Sequence, residues 1–396
     1  MTEKEVDIII LGGGVAGLWI LNALTAEGYS VVLLEKQKLG QGQTICAQGI
    51  VHGGFKYVVP GKYRQGTASE VRNMPQRWRE HCSGQRKNPD LSGLQINSPS
   101  CYFWLSKGRG LRGVFEEAFS TVGIGLLNSP PVDVTDSVPL WLKKSAAKIY
   151  AVPEQVIDSS ALLQELAKFN LSQIYYFDSV SFIKERDRVR SVSVKEQKTG
   201  EEITFSAQAF LLTAGIGNQE LVEAMGYPQT VMQIRPLRQL LVSGNGLPEL
   251  WGHCIDGGKA VASVTTHKNP RTGEKVWNIG GEIAENGYKQ DPEVLIREGR
   301  ALLEKLLSGV DFSQTKWSTF DALRAEEPND NLLPSGVSIR QIENIFVCFP
   351  TKMAMAPVLA DQIVLLLEKE HIVKTEHIFE RKGELHVAPY PWEDKF

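Results

Sequence analysis

Asp7-Ile-Ile-Ile-Leu-Gly12-Gly-Gly14-Val15-Ala16-Gly17-Leu18 is followed by a second apolar run, Val31-Val-Leu-Leu-Glu35-Lys36, that ends in a carboxylate. The pair of runs decides the fold. Residues 8–11 read as a strand buried on both faces. Gly12 permits a tight turn, Gly14 lets backbone N–H groups approach a pyrophosphate, and Gly17 lets the following helix sit close to the strand. A helix predicted over 15–27 opens at Val15 and Ala16 and points its positive end at the phosphates. Glu35, at the end of the second strand with Lys36 behind it, is placed to accept hydrogen bonds from ribose hydroxyls. Strand, glycine loop, helix, strand and acid stand in the order that a dinucleotide site requires. A glycine-rich turn without a ligand is the plainer alternative.

Composition narrows the classes. A chain of 396 residues has room for two domains or one large domain with insertions. A formal net charge of -3 gives no reason to expect a polyanion, so no nucleic-acid partner is expected. No run of about twenty apolar residues occurs, so no transmembrane segment is expected. The opening Met-Thr-Glu-Lys-Glu-Val-Asp lacks a basic n-region and leads into the glycine-broken strand, which reads as a Rossmann strand and not a signal peptide. The five cysteines, Cys46, Cys82, Cys101, Cys254 and Cys348, are scattered and form no CxxC pair. Neither a metal site nor a disulfide framework is expected from them, and a reducing cytoplasm is the default.

Further along, a helix is expected over 70–81 and another near 111–119. Asp158 is placed to cap a helix through Leu162, Leu163, Leu166 and Ala167. Short antiparallel strands are expected over 174–177, 180–185, 189–196 and 202–205, with Lys198-Thr-Gly200 as a turn. Ala209-Phe-Leu-Leu-Thr213-Ala214-Gly215 reads as a second buried parallel strand, and Ile345-Phe-Val-Cys348 as a third. Residues 228–290 alternate like a larger sheet with a hairpin after His267. A strong amphipathic helix is expected over 292–307, and a further helix over 354–369, packing back on the first domain. The fold class is therefore α/β: a Rossmann-like domain with a mixed, mainly parallel sheet, assembled from the discontinuous segments 1–80, 150–222 and 335–396. An antiparallel-sheet cap domain, 81–149 and 223–334, is inserted between them.

These motifs resemble the D-amino-acid oxidase and glycerol-3-phosphate dehydrogenase superfamily of FAD enzymes over nearly the whole chain. The segment Gln43-Thr44-Ile-Cys-Ala-Gln48-Gly49-Ile-Val-His52-Gly53-Gly54 looks like the stretch in the 2-hydroxyacid and glycerol-3-phosphate members whose small polar residues meet the pyrophosphate. The resemblance places its His-Gly-Gly beside the isoalloxazine. Asp178-Ser-Val180 is similar to the family's strand whose valine backbone meets adenine, and Thr213-Ala214-Gly215 to the turn beneath the cofactor. Leu323-Arg324-Ala325 resembles the substrate-site "Leu-Arg-Pro". Pro350-Thr351-Lys352-Met353 resembles the helix start at the flavin pyrimidine edge, with Thr351 where the family's glycine is usual. The implied cofactor is FAD and the implied reaction is oxidation of a small anionic organic substrate, a 2-hydroxy acid or polyol phosphate, by hydride transfer to flavin N5. The electron acceptor would be oxygen, a quinone or another protein.

Three residues are the catalytic candidates. His52 lies in a glycine-flanked segment where an imidazole can remove a hydroxyl or ammonium proton. Arg324 offers a guanidinium fork for a carboxylate or phosphate. His267, at a strand end, faces either substrate or solvent. Arg235 and Arg238 are weaker anion candidates, and ion pairs with Asp321, Glu326 or Glu327 are the structural alternative for all three arginines. Lys352 either places positive charge by flavin N1/O2 or is a solvated first-turn lysine. Cys46 packs beside the cofactor, with a thioether to the flavin as the minor alternative. Two rival functions share this fold: an amino-acid or amine oxidase, and a flavoprotein domain acting on a macromolecule such as tRNA. An NAD-dependent dehydrogenase would need a nicotinamide domain or a second GxGxxG, and neither is visible.

Overall fold

In a computed structural model, the structure describes residues 2–54, 71–107, 131–256, 259–328, 336–375, 379 and 381–396. The helix expected near 111–119 lies outside the described residues. Ile8–Leu11 is wholly buried and runs parallel to Val31–Glu35 on one side and Ala209–Leu212 on the other, and Ala209–Leu212 pairs in parallel with Ile345–Phe349. These four strands form the centre of a nine-stranded sheet. Beside them, Ile174–Glu185 joins Val31–Glu35 in parallel and then leads an antiparallel meander through Arg188–Glu196 and Glu202–Ser206. Two expected strands, 180–185 and 174–177, are thus one twelve-residue strand, because the pairing with Arg188–Glu196 resumes on both sides of a register shift at the exposed Asp178.

Three helices cover one face of this sheet. Val15–Ala26 is buried almost all round and packs between Ser159–Ala167 and Ala356–Lys369. Asp158 caps the second of these by accepting the Ala161 N–H at 2.8 Å, as its position before Leu162 predicts. The helix starting at Ala356 follows a 3-10 turn, Met353–Met355.

The second sheet has eight strands, in the order Lys316–Glu326, Gln233–Ser243, Lys275–Gly280, Lys259–Lys268, Trp251–Asp256, Cys101–Ser106, Ala146–Val152 and Val132–Asp133. It is antiparallel except at one joint, where Cys101–Ser106 runs parallel to Trp251–Asp256. Ala146–Val152 spans residue 150, where the sequence pattern put a domain boundary. After Gly280 the chain leaves the sheet for a short helix, Glu282–Gly287, so the alternating pattern ends earlier than residue 290. Pro292–Leu306 is capped by Asp291 and seats Leu303 and Leu306 on one face of the sheet. Burying two leucines stabilises that contact by roughly 3–6 kcal/mol. The other face of the same sheet turns toward the glycine loop. Among the described residues, no helix is long and apolar enough to cross a membrane.

Candidate active site

The site begins at the turn after Ile8–Leu11. Gly12 has φ +110°, and a Cβ there would fall 2.6 Å from the Ala214 Cα. A Cβ on Gly17 would fall 2.0 Å from the Gly12 carbonyl oxygen, so only glycine lets strand and helix close up. Thr213 fastens the turn from below by donating its Oγ1–H to the Gly12 carbonyl at 2.8 Å. Helix Val15–Ala26 starts at Gly14 with no side-chain cap of its own, and Thr44 Oγ1 accepts the Val15 N–H at 3.1 Å. Glu35 accepts the Gly13 N–H at 2.6 Å, and burial pushes its carboxyl above the usual carboxylate range against the pull of that bond. Lys36 is exposed and is held through its carbonyl by the Gln197 amide at 2.8 Å. Val180 is half-buried on Ile174–Glu185, four residues beyond the point where Tyr176 pairs with Glu35. Ala214 donates its N–H to Asn218 Oδ1 at 2.8 Å, and Gly215 follows with φ +59°.

A cavity of about 250 Å³ opens between the 43–52 loop and the second sheet. It gathers Gln43, Gln48, Gly49 and His52 from the loop and Thr351, Lys352 and Met353 from the turn before Ala356–Lys369. The sheet wall follows from simple geometry. Side chains alternate along a strand, so Arg235, Leu237 and Gln239 share one face of Gln233–Ser243, and Ala322, Arg324 and Glu326 share one face of Lys316–Glu326. The register sets Arg235 directly opposite Arg324, and Leu237 opposite Ala322. Glu326 balances part of this charge, accepting from Arg235 NH2 at 2.7 Å. Arg238 points to the opposite face, where Asp321 holds it through two bonds of 2.6 and 2.9 Å, so it has no part in the cavity.

The loop is bolted across the cavity by side-chain amides. Gln48 donates to the Ser263 and Asn278 carbonyls at 2.8 and 2.9 Å, Gln43 Oε1 accepts the Ala325 N–H at 3.2 Å, and Gln239 donates to the Cys46 carbonyl at 3.2 Å. In this structure the two loop glutamines therefore hold the cap sheet, a task their family resemblance does not suggest. Cys46 lines the cavity, and burial pushes its thiol up to about 12, so it stays protonated near neutrality.

His267 lies elsewhere. It is 5% exposed, its Nε2 is 3.0 Å from Thr265 Oγ1, and its ring lies 4.7 Å from that of Trp392. The expectation that it faces substrate or solvent is corrected: the C-terminal segment covers it. That segment, which no sequence pattern tied to the site, pairs Leu39 with Val387 and joins Tyr390 to Asp158 at 2.6 Å. Two further residues escaped the sequence reading, Glu154 and His253. Both are buried beside His52, with Glu154 Oε2 3.5 Å from His52 Nδ1 and the two imidazole centroids 5.7 Å apart. A charge between the apolar runs 149–152 and 156–157 was the available signal for Glu154.

The family model described as DAO, FAD dependent oxidoreductase, matches residues 7–361. The chain belongs to the DAO family of FAD-dependent oxidoreductases. A probable FAD-dependent oxidoreductase of Pseudomonas aeruginosa is 36% identical over 374 residues, 94% of this chain and 93% of the relative. The crystal structure of an FAD-dependent oxidoreductase from that organism superposes with a TM-score of 0.82 at 32% identity, covering 100% of this chain and 99% of that one. The fold is also that of L-alpha-glycerophosphate oxidase from Mycoplasma pneumoniae, solved with FAD bound (TM-score 0.65, 16% identity, 98% and 100% covered). Glycine oxidase from Geobacillus kaustophilus shares it too (TM-score 0.65, 15% identity, 94% and 99% covered).

FAD is thus the cofactor of this DAO-family enzyme, and the residues present fit it. The glycine cradle at Gly12 and Gly17 leaves no space for a side chain, and the helix start carries no cap of its own. Thr351 supplies a further sign: its Oγ1 is buried without a hydrogen-bond partner, on a backbone with φ +55° that a threonine rarely adopts.

Proposed function

We propose that this enzyme oxidises a small anionic alcohol, a 2-hydroxy acid or a polyol phosphate, in the cavity beneath His52. The observation that carries the reading is the register that sets Arg235 opposite Arg324 on the cavity wall. Like charges directly across a strand pair oppose one another, and an anion beside them, as Glu326 already is for Arg235, makes the arrangement favourable. Two guanidinium forks suit a carboxylate or phosphate.

Gly12, Gly14, Val15, Ala16 and Gly17 would hold the pyrophosphate, Glu35 and Lys36 the ribose side, and Val180 the adenine. Gln43, Thr44, Gln48 and Gly49 would flank the phosphates, while Thr213, Ala214, Gly215, Thr351, Lys352 and Met353 would border the ring. When bound, FAD supplies the hydride acceptor, its N5. The chain's own residues do the rest. Arg235 and Arg324 fix the anionic end of the substrate, and His52 takes the hydroxyl proton as the C–H bond breaks. The bolted loop keeps that imidazole against the cavity.

A second reading, oxidation of an amino acid, is favoured by Glu285, a carboxylate on the same cavity wall that an ammonium group could pair with. Anaerobic mixing of the purified yellow protein with lactate, 2-hydroxyglutarate, glycerol 3-phosphate, glycine and proline separates the two. Bleaching of the flavin bands by one of the alcohols is expected. Bleaching by the amino acids alone would overturn the alcohol reading, and reoxidation of the bleached protein by oxygen or by a quinone then identifies the acceptor.

A further inference from the structure

We propose that Glu154 is the positioning residue for His52, fixing the ring so that Nδ1 keeps its proton and Nε2 receives the substrate's. The inference rests on His52 being the base proposed above.

Glu154 is 2% exposed and belongs to a segment zipped to the histidine's own loop. Val51 donates its N–H to the Gln155 carbonyl at 2.8 Å, Ile157 donates to the Gly49 carbonyl at 2.8 Å, and Ile50 bridges Val156. The carboxylate therefore moves with the loop. Its two oxygens are divided between two tasks. Oε1 accepts the Gly53 N–H at 2.7 Å, which fixes the backbone just after the histidine, and Oε2 stands 3.5 Å from His52 Nδ1. His253 completes the pocket behind the ring, itself held by Ser263 Oγ at 2.6 Å from its Nδ1 and by Phe103 at 4.8 Å between ring centroids. One nitrogen of each histidine and one oxygen of Glu154 lie within 4.8 Å of one another.

Chemistry follows from this placement. A buried carboxylate needs a donor or a cation, and the nearest one that can become cationic during turnover is His52. The substrate O–H bond breaks heterolytically, its proton forms a bond to Nε2, and the electron pair left on oxygen becomes the second carbon–oxygen bond as the substrate C–H bond breaks, its hydride being what bound FAD would accept. The resulting imidazolium keeps its Nδ1–H toward the Glu154 side chain. Glu154 thus holds the neutral ring in one tautomer and offsets the positive charge that develops on it. Among the described residues, the other ionisable groups on the cavity wall are Cys46, Arg235, Glu285, Arg324, Glu326 and Lys352, and Cys101 lies near Glu154.

The test uses the FAD-loaded full-length protein. Glu154→Gln keeps the shape and the acceptor for Gly53 but removes the charge. With the alcohol that bleaches the wild type, the flavin-reduction rate should fall about 10²-fold while half-saturation stays within about twofold. Glu154→Asp should recover part of that loss. In a His52→Ala background the Glu154→Gln change should add less than about a factor of two, since both act through one ring. A readout independent of turnover is the nitrogen-15 spectrum of histidine-labelled protein. Wild-type His52 should be the Nδ1–H tautomer when neutral, and Glu154→Gln should give a mixture. Wild-type reduction in Glu154→Gln alongside a slow His52→Ala would overturn the positioning role but leave the base assignment standing. Wild-type reduction in His52→Ala would overturn both. One equivalent of divalent metal in the purified protein, lost in Glu154→Gln, would make the cluster a metal site and also overturn the proposal.

Discussion

His52 and His267 are both histidines that the sequence offers for acid–base work, and the fold treats them in opposite ways. His52 sits in a loop whose neighbours are Gly53 and Gly54, so its backbone can come up against the cavity, and a carboxylate stands behind its ring. His267 ends a regular strand, where alternation sends it inward, and Trp392 and Tyr390 of the C-terminal segment close over it. An imidazole in an irregular glycine-flanked segment has no fixed face to serve. One on a strand takes whichever side the pleat assigns. The irregular position is the one that reaches the cavity.

That contrast breaks first on a pair of substitutions. His52→Ala should lower the rate of flavin reduction by a substrate alcohol by about 10²–10⁴-fold with the flavin still bound. His267→Gln should change that rate by less than about threefold. Stopped-flow absorbance under anaerobic conditions reads both, and equal losses in the two variants would dissolve the distinction.

The same opposition exists within one strand. Arg235 faces the cavity, whereas Arg238, three residues on, faces Asp321 on the other side. Losing a charge-assisted bond to an anionic substrate costs about 1.5–3 kcal/mol, so Arg324→Ala and Arg235→Ala should each raise half-saturation about 10- to 100-fold. Arg238→Ala should leave it unchanged. An anionic alcohol that saturates all three variants alike would remove the reason for assigning an anion site.

How much of this was legible in the sequence differs by region. The nucleotide half announces itself locally: Ile8 to Leu11 is apolar at every position because both sheet faces are covered, and Gly12 and Gly17 stand where a Cβ would collide. The cap wall is half legible. Arg324 could be picked out by its motif, but its partnership with Arg235 depends on strand register, which the intervening residues do not reveal. The bolts are not legible at all. Gln43 meets a backbone N–H 282 residues away and Gln48 a carbonyl 215 residues away, and such long-range side-chain bonds leave no periodic trace. The covering of His267 fails for the same reason, since Trp392 lies at the far end of the chain.

Acid sharpens the comparison from the side of stability. Burial pushes His267 down to about 4, and burial likewise pushes His81 down to about 4. Both are neutral in the folded protein, while an unfolded histidine titrates near 6.5. Between about pH 6.5 and 4 the unfolded chain therefore binds protons that the native one refuses, and stability falls as pH drops through that window. For His267 the loss is on the order of 2–3 kcal/mol. Urea unfolding at pH 7 and pH 4.5 should show a smaller difference in His267→Gln than in the wild type. An unchanged difference would mean that the C-terminal cover opens to let the ring protonate.

The smallest effect concerns Thr351, in the turn before Ala356–Lys369, where the family resemblance leads one to expect a glycine. Its backbone nonetheless takes φ +55°, so the turn geometry is kept at the expense of side-chain strain. A non-glycine residue held there costs about 1–2 kcal/mol, partly offset in a glycine variant by the greater freedom of its unfolded chain. Thr351→Gly should therefore raise the midpoint of thermal unfolding of the FAD-free protein slightly, by about 1 kcal/mol or less of stability. If the hydroxyl is retained because its buried Oγ1 meets the cofactor, the same variant should bind FAD more weakly, by several-fold in a fluorescence titration. Opposite signs in the two measurements would show a residue strained for binding; a loss in both would show that the threonine serves only the fold.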